Sequence, residues 1–360
     1  KLRDGLLSKF AIKDGSSNRK IPESHKDLYR SNFQIDRDRI IHTNSFRRLK
    51  HKSQVFVSPV GDHYTTRLTH VIEVSQIGRT IARALLLNED LVEAASLGHD
   101  LGHTPFGHIG ESALNSILEE GFHHSRHSIR IIEFLEKNGR GLNLTNHVIE
   151  AIRRHSKGQG EFLNAKSVEG MSLEAQIVRI SDALAYLSHD IEDAKRSNFL
   201  EGKKMTKDIQ EIFNMKRSER INYFVSDVVI NSWDCSGQSS NTTIPIIDMS
   251  DENKQKLTLL RNFMFENFYL PVSNSDQGIA AYKIVEFLFY YYQENIEELP
   301  IQQDIKDSRN KEIYISDHIC GMTDHYAMRM AEKISPGISK KIIQGWEIQK
   351  KNLIQFQKYY

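Results

Sequence analysis

The chain has 360 residues, 39 % of them hydrophobic and 26 % charged, with a formal net charge of +1, enough for one large core or two smaller domains but not a polyanion-binding tail. No apolar run reaches the roughly eighteen residues of a membrane helix, and the basic start lacks the apolar stretch of a signal peptide, so neither is expected. Its two cysteines, Cys235 and Cys320, offer no disulfide framework and no zinc-type spacing, which fits a reducing, cytoplasmic setting.

Charge is unevenly placed along the chain. Residues 1–53 hold fourteen Lys/Arg against six Asp/Glu, an excess by which the N-terminal segment 1–66 favours a phosphate-rich partner, with a merely solvated basic face as the alternative. The best strand signal, "SQVFV" (Ser53–Val57), closes this segment. Beyond it the apolar period is helical nearly throughout, and the predicted fold class is all-α. Leu68, Val71, Ile72, Ile77, Ile81 and Leu85 mark one helix. Asn88 reads as the N-cap of the next, with Glu89 and Asp90 in its first turn and Leu91, Ala94, Ala95 and Leu97 facing inward. Gly102 and Pro105 break that helix, and another runs from about Ile109 to Leu118. Further helices are predicted over Ser128–Lys137, Thr145–Arg154, Ser172–Arg196, Thr206–Asn231, Asp251–Phe268, Ala280–Asn295, Lys311–Glu332 and Lys340–Gln355. "CSGQSSNTT" (Cys235–Thr243) is a polar loop. It divides a core region, 67–234, from a C-terminal helical region, 251–360, with 235–250 as the connection. The aromatic run "IVEFLFYYY" (Ile284–Tyr292) reads as buried core more readily than as a binding surface.

One stretch does not fit a purely structural role. "EAASLGHDLGHTPFGHIGE" (Glu93–Glu111) crowds three histidines, an Asp and two Glu around a Gly/Pro-punctuated loop. His99 and Asp100 stand at a helix end, where both can lean toward one ion held against a facing helix. His70 shares a helix face with Arg67. In "VRISDALAYLSHDIEDA", Asp182, Tyr186 and Asp190 recur every four residues and form a polar stripe between apolar positions. Two imidazoles with two carboxylates suit an octahedral Mn²⁺, Mg²⁺ or Fe²⁺ with room for water and phosphate oxygens, and the lack of thiolates argues against structural zinc. Each residue alone is more readily a cap, a hydrogen-bonding group or a surface residue. Their combination changes the balance.

The order His70, His99–Asp100, Asp182 resembles the HD-domain signature. The strings "FQIDRDRIIHTNSFRRLKHKSQVF", "TRLTHVIEVSQIGRTIA", "LGHDLGHTPFGHIGE", "IRRHSKG", "RISDALAYLSHDIEDA" and "DHICGMTDHYA" resemble its deoxyguanosine triphosphate triphosphohydrolase-like branch, from Phe33 to Ala327. The resemblance implies an HD-domain helical fold with a C-terminal helical extension. It also implies hydrolysis of dGTP or several dNTPs to deoxynucleoside and inorganic triphosphate. By motif position, His70, His99, Asp100 and Asp182 take the metal-ligand roles, and His108 and Glu111 the catalytic dyad. Gln54, Arg67, His103, His124, Tyr186 and Asp190 take positions that hold phosphates, sugar and base. Glu111 would orient His108 for proton transfer or water positioning. Tyr186 packed on the deoxyribose would leave no room for a 2′-hydroxyl, and Gln54 could read the 3′-hydroxyl. Family members are generally homo-oligomers, some activated by a dNTP bound away from the active site.

Two other readings stand beside this one. One is an HD nucleotidase or phosphodiesterase acting on other nucleotides, against which Gln54, Tyr186 and Asp190 weigh. The other is a dNTP- or single-stranded-DNA-binding regulator using the basic segment with Tyr29, Phe33 and Phe46; intact ligands and dyad weigh against pure binding, while DNA as an added partner stays open. The chain departs from the family at "FHHSRHS" (Phe122–Ser128), where Ser125 and His127 stand in place of amides. It also differs most over 200–250, so base preference and effector control do not carry over.

Overall fold

Ser31, Thr66, Asn88, Ser172, Thr206, Ser250, Ser275 and Thr323 each accept a hydrogen bond from the backbone N–H three residues on, and a helix starts after each. Such caps stabilise a helix start by about 1 kcal/mol each. The computed structural model describes residues 2–345 apart from 25–26, 58–63, 157–165, 198, 240–244 and 301–307. Among the described residues the chain is helical with no strand, so the all-α fold class holds. The main helices begin with α1 (Asn32–Ile41), α2 (Arg67–Ala84), α3 (Glu89–Gly98), α4 (His108–Ile117), α5 (His124–Arg130) and α6 (Asn146–Arg154). They continue with α7 (Leu173–Arg196), α8 (Lys207–Asn214), α9 (Arg217–Asn231), α10 (Asp251–Met264), α11 (Asp276–Glu294), α12 (Ser308–Cys320) and α13 (Asp324–Ile334).

Two apolar cores hold these helices. In the first, Val71, Val74, Ile77 and Ile81 of α2 pack with Leu91, Val92 and Ala95 of α3 and with Ile177, Ile180 and Leu184 of α7. In the second, Ile109, Ala113 and Leu114 of α4 meet Ala281, Ile284, Val285 and Leu288 of α11, with Ile315, Ile319 and Ala327 closing the far side. The aromatic run of α11 thus lies mostly in this second core, with Tyr290 exposed. Ile247, Met249, Leu257, Leu260, Phe268 and Val272 still belong to the first core. The 235–250 connection, of which 240–244 lie outside the described residues, therefore does not separate the two cores.

Several predicted elements are corrected. "SQVFV" is not a strand: Ser53 makes only an isolated bridge to Thr66. Its N–H donates to Asp324 (3.0 Å), and its carbonyl accepts from Arg67 Nε (3.2 Å), so side chains from distant helices take the bonds that a neighbouring strand would have used. The predicted helix Thr206–Asn231 is two helices, α8 and α9. Buried Arg220 donates to the carbonyls of Ile212 (3.1 Å), Met215 (2.9 Å) and Ser188 (3.0 Å), satisfying the end of α8 and tying the break to α7. Lys311–Glu332 likewise divides at Gly321 into α12 and α13. The last predicted helix, Lys340–Gln355, lies outside the described residues from 346 onward.

The N-terminal segment is fastened by a buried ion pair. Arg19 Nη1 lies 2.5 Å from Asp36 Oδ1, while Asp36 Oδ2 accepts from the Thr145 N–H (2.8 Å) and hydroxyl (2.6 Å). Burial pushes the Asp36 carboxyl up despite Arg19 and Thr145 beside it, so the charged form persists only through those partners. Asp36→Ala is expected to destabilise the fold by about 3 kcal/mol, because buried Arg19 keeps only the more distant, partly exposed Glu23 carboxylate at 3.6 Å and Thr145 loses its acceptor. The check is the urea unfolding midpoint, and an unchanged midpoint would mean that water replaces the carboxylate at Arg19.

Candidate active site

Three helices deliver the predicted ligands to one place. Arg67 and His70 lie in the first turn of α2, where the Thr66–Thr69 capping box fixes the start. His99 and Asp100 follow α3 directly, in the turn after Gly98. Asp182 comes from the middle of α7. His70 Nε2 is 3.2 Å from Asp182 Oδ1 and 3.7 Å from Asp100 Oδ2. His99 Nε2 is 3.3 Å from Asp100 Oδ1 and 3.8 Å from Asp182 Oδ1. Both imidazoles thus turn the same ring nitrogen toward the two carboxylates.

The donors fit a cation. His99 Nδ1 lies 2.6 Å from the Ser96 carbonyl, which only a protonated Nδ1 can satisfy. Its Nε2 is then the nitrogen left to accept, and this atom is buried with no hydrogen-bond partner among the described residues. An orphaned buried nitrogen facing two carboxylates is what a metal ligand looks like without its ion. Burial raises the Asp100 carboxyl pKa, but His99, His103 and Arg67 outweigh it and hold the group well below the usual range. Asp100 is ionised and ready to ligate.

Arg67 is committed elsewhere than expected. Its Nη1 donates to Asp100 Oδ2 at 2.8 Å, both side chains being buried, and its Nε and Nη2 reach the carbonyls of Ser53 and Gln54. The guanidinium orients a ligand and fixes the 53–54 backbone.

A second ring of side chains stands beside this cluster, from the loop before α4, the first turn of α4 and the start of α5. Glu111 Oε2 lies 3.0 Å from His108 Nδ1, and Glu111 Oε1 lies 2.9 Å from His124 Nδ1. His103 stacks on His124 with ring centroids 4.0 Å apart. Burial raises the Glu111 carboxyl, yet His124 and His108 together drive it far below the ordinary range. The same contact, against burial, raises the His124 pKa. His124 Nε2 faces His155 Nε2 at 3.1 Å, and His155 Nδ1 is taken by the Ile152 carbonyl at 2.6 Å. His155 can therefore only accept there, so His124 donates through both nitrogens and sits as an imidazolium under the dyad. His108 differs from its neighbours: its side chain is 69 % exposed.

The loop carrying these residues is strained and pinned. Phe106 (φ +62°) and Gly107 (φ +57°) are both left-handed, which costs most at Phe106. Asp324 of α13 holds that turn, accepting from Phe106 N at 2.8 Å and from both Ser53 donors. A Cβ on Gly107 would lie 2.9 Å from Arg67 Nη2. At Gly102 it would lie 2.2 Å from the Ser128 backbone nitrogen, so neither position accepts a side chain. Lys52 adds a tie through the carbonyls of His103 and Cys320.

The stripe on α7 reaches outward as expected in position, with different partners. Tyr186 packs 6.0 Å from the ring of Tyr269, and burial pushes its phenol up to about 12. Asp190 is buried, accepting from Tyr269 Oη at 2.7 Å and standing 2.7 Å from His189 Nδ1. His189 Nε2 in turn lies 3.0 Å from His70 Nδ1, so Asp190 sits behind a candidate ligand. Gln54 is buried, and its Oε1 has no partner. The sequence reading did not assign His155, His189, Tyr269 or Asp324. His155, His189 and Asp324 lie within family-like strings, while nothing local in the sequence marks Tyr269.

The departure at His127 has a physical consequence. The ring is fully buried against Phe122, and burial, with Lys52 and Arg130 nearby, holds its pKa down to about 3. In the unfolded chain the ordinary value is about 6.5, so below that pH the unfolded state takes up a proton that the folded state refuses. Stability is therefore lost as pH falls through this window. His127→Gln is expected to lessen the loss of unfolding free energy between pH 7 and pH 5 by about 2 kcal/mol, read from denaturant titrations at both pH values; equal losses in the two proteins would sink it.

The model for the HD domain matches residues 67–187, and that for the phosphohydrolase-associated domain matches residues 247–333. A deoxyguanosinetriphosphate triphosphohydrolase-like protein of Caldanaerobacter subterraneus is 46 % identical over 330 residues, covering 91 % of this chain and 92 % of that one. Proteins of the same description from Desulfatibacillum aliphaticivorans (42 %, covering 91 % and 94 %) and Clostridium perfringens (44 %, covering 86 % and 88 %) match likewise. The solved structure of a hypothetical protein from Aquifex aeolicus aligns with a TM-score of 0.43 at 18 % identity, over 86 % of this chain and 70 % of that one. No helix among the described residues is long and apolar enough to cross a membrane.

Proposed function

Because the chain belongs to the deoxyguanosinetriphosphate triphosphohydrolase-like family of HD-domain proteins, a family of metal-dependent phosphohydrolases, we propose that it hydrolyses deoxynucleoside triphosphates to deoxynucleoside and inorganic triphosphate. The observation that carries this reading is the placing of two sets of groups side by side. Two imidazoles and two carboxylates converge from three helices, and a Glu-linked pair of histidines stands next to them.

His70, His99, Asp100 and Asp182 would hold a divalent ion; Mn²⁺, Mg²⁺ and Fe²⁺ all suit two nitrogens and two oxygens. When bound, such an ion neutralises phosphate charge as a Lewis acid. The chain's own groups supply the rest. Glu111 accepts from His108 Nδ1–H and so leaves His108 Nε2 as the free, solvent-facing nitrogen. That nitrogen is placed to position or deprotonate the attacking water, or to return the proton to O5′ as the bond to the α-phosphorus breaks. The imidazolium at His124 and the open N-terminus of α4 add positive charge where a triphosphate would lie. Tyr186 and Gln54 remain our assignments for the sugar.

Arg47, Arg48, Lys50 and His51, with Asn44 and Thr323, line a separate surface hollow of about 430 Å³. Three of them, Arg47, Arg48 and Lys50, are cationic, and Arg47 reaches only Asn44 Oδ1, at 3.5 Å, among the described residues. This hollow suits the phosphates of an activating dNTP or the backbone of single-stranded DNA, and a homo-oligomer in the cytoplasm is our reading of the assembly and its setting. The test is an assay of the purified protein with Mn²⁺ against the four dNTPs, singly and mixed, with products separated. Inorganic triphosphate and deoxynucleoside are expected. Release of orthophosphate or pyrophosphate, or activity only on monophosphates, would replace this reading with the nucleotidase one.

A further inference from the structure

His103, His108, Glu111 and His124 each offer one ligating atom, and all four atoms lie within 4.8 Å of one another. This group differs in chemistry from the four-ligand cluster beside it. It has three imidazoles to one carboxylate, where the other has two of each. Glu111 already stands 3.0 Å from His108 Nδ1 and 2.9 Å from His124 Nδ1. Ligand atoms about 2.0 Å from a tetrahedral zinc ion stand at a similar separation from each other. His103 is 1 % exposed, packed face-on to His124 and edge-on to His108. Its Nδ1 is buried without a hydrogen-bond partner among the described residues, an unmatched nitrogen that the fold leaves unexplained. His108 is the solvent-facing member, with most of its side chain exposed.

We propose that His103, His108, Glu111 and His124 form a second metal site selective for Zn²⁺, and that filling it switches hydrolysis off. Nitrogen-rich sets of this kind prefer zinc over manganese or magnesium, whereas the two-nitrogen, two-oxygen cluster accepts the harder ions. Binding would displace the protons that His108 and His124 now share with Glu111 and would replace both hydrogen bonds by coordination. It would also remove the lone pair and the carboxylate that the proposed proton transfer needs. The binding half of this inference stands on geometry alone, and the inhibition half rests on the role given to His108 above.

The experiment is Zn²⁺ titration of the full chain carrying His70→Ala and Asp182→Ala, with a chromophoric chelator as competitor. One tightly bound Zn²⁺ per chain is expected, and adding His124→Ala should weaken it by more than about 100-fold. No tight zinc in the first variant, or zinc unaffected by His124→Ala, overturns the site. If the doubly substituted chain does not fold by circular dichroism, the wild type is titrated with Zn²⁺ after saturation with Mn²⁺. Inhibition that survives a tenfold rise in Mn²⁺ is expected, and relief in proportion to Mn²⁺ overturns a separate site. Zinc bound in this way by a chain that releases no triphosphate would keep the site and remove the function proposed above. Triphosphate release without zinc binding would do the reverse.

Discussion

Asp182→Ala is expected to cost the protein both its metal and its activity. Asp182 is the only member of the four-ligand cluster on α7, and its Oδ1 stands 3.2 Å and 3.8 Å from the two histidine nitrogens. Without it, one carboxylate is left to balance a dication among buried imidazoles. Metal affinity should fall by at least about 100-fold, and triphosphate release at saturating dNTP by at least about a thousandfold. The side chain is partly exposed, at 20 %. Melting in the presence of a chelator should therefore match that of the unmodified chain, which separates loss of metal from loss of fold. Metal analysis after dialysis, beside the product assay, decides the matter. A variant that keeps its metal and its turnover would remove Asp182 from the site.

His108→Ala should give the opposite pairing of results: metal content unchanged, turnover nearly gone. His108 lies outside the cluster of His70, His99, Asp100 and Asp182, packing against the rings of His103 at 5.0 Å and His124 at 5.9 Å. Its one hydrogen bond goes to Glu111, and its exposed side chain contributes little to stability. A general acid–base group contributes about 10²–10⁴-fold, and a loss of that size in kcat with little change in KM is expected. Glu111→Gln should fall between, since the amide can still face His108 but no longer balances the charge on His124. Full triphosphate release by His108→Ala would rule out the proposed proton path.

The two variants test different parts of the same arrangement, and the sequence disclosed those parts unequally. Helix positions were legible because each start has a local cause: Asn88, Ser172 and Thr66 cap the very helices that their neighbours' apolar period predicts. The breaks were less legible. Nothing near Met215 announces a helix end; Arg220, reaching from the next helix, satisfies the carbonyls there. "SQVFV" has strand composition, yet its backbone bonds go to Asp324 and Arg67, partners far away in sequence.

Within the site, residue type was readable and allegiance was not. The sequence by itself determined a helical chain rich in metal-type donors, because caps, periodicity and side-chain chemistry are local properties. The resemblance then assigned ligand and dyad roles to particular positions. Tertiary structure alone decided that Arg67 serves Asp100, that Asp190 backs His70 through His189, and that Asp324 holds the strained turn at Phe106. Each of these depends on which buried donor meets which buried acceptor. That pairing is set by how α2, α7 and α13 pack in space, and the spacing of residues along the chain carries no record of it.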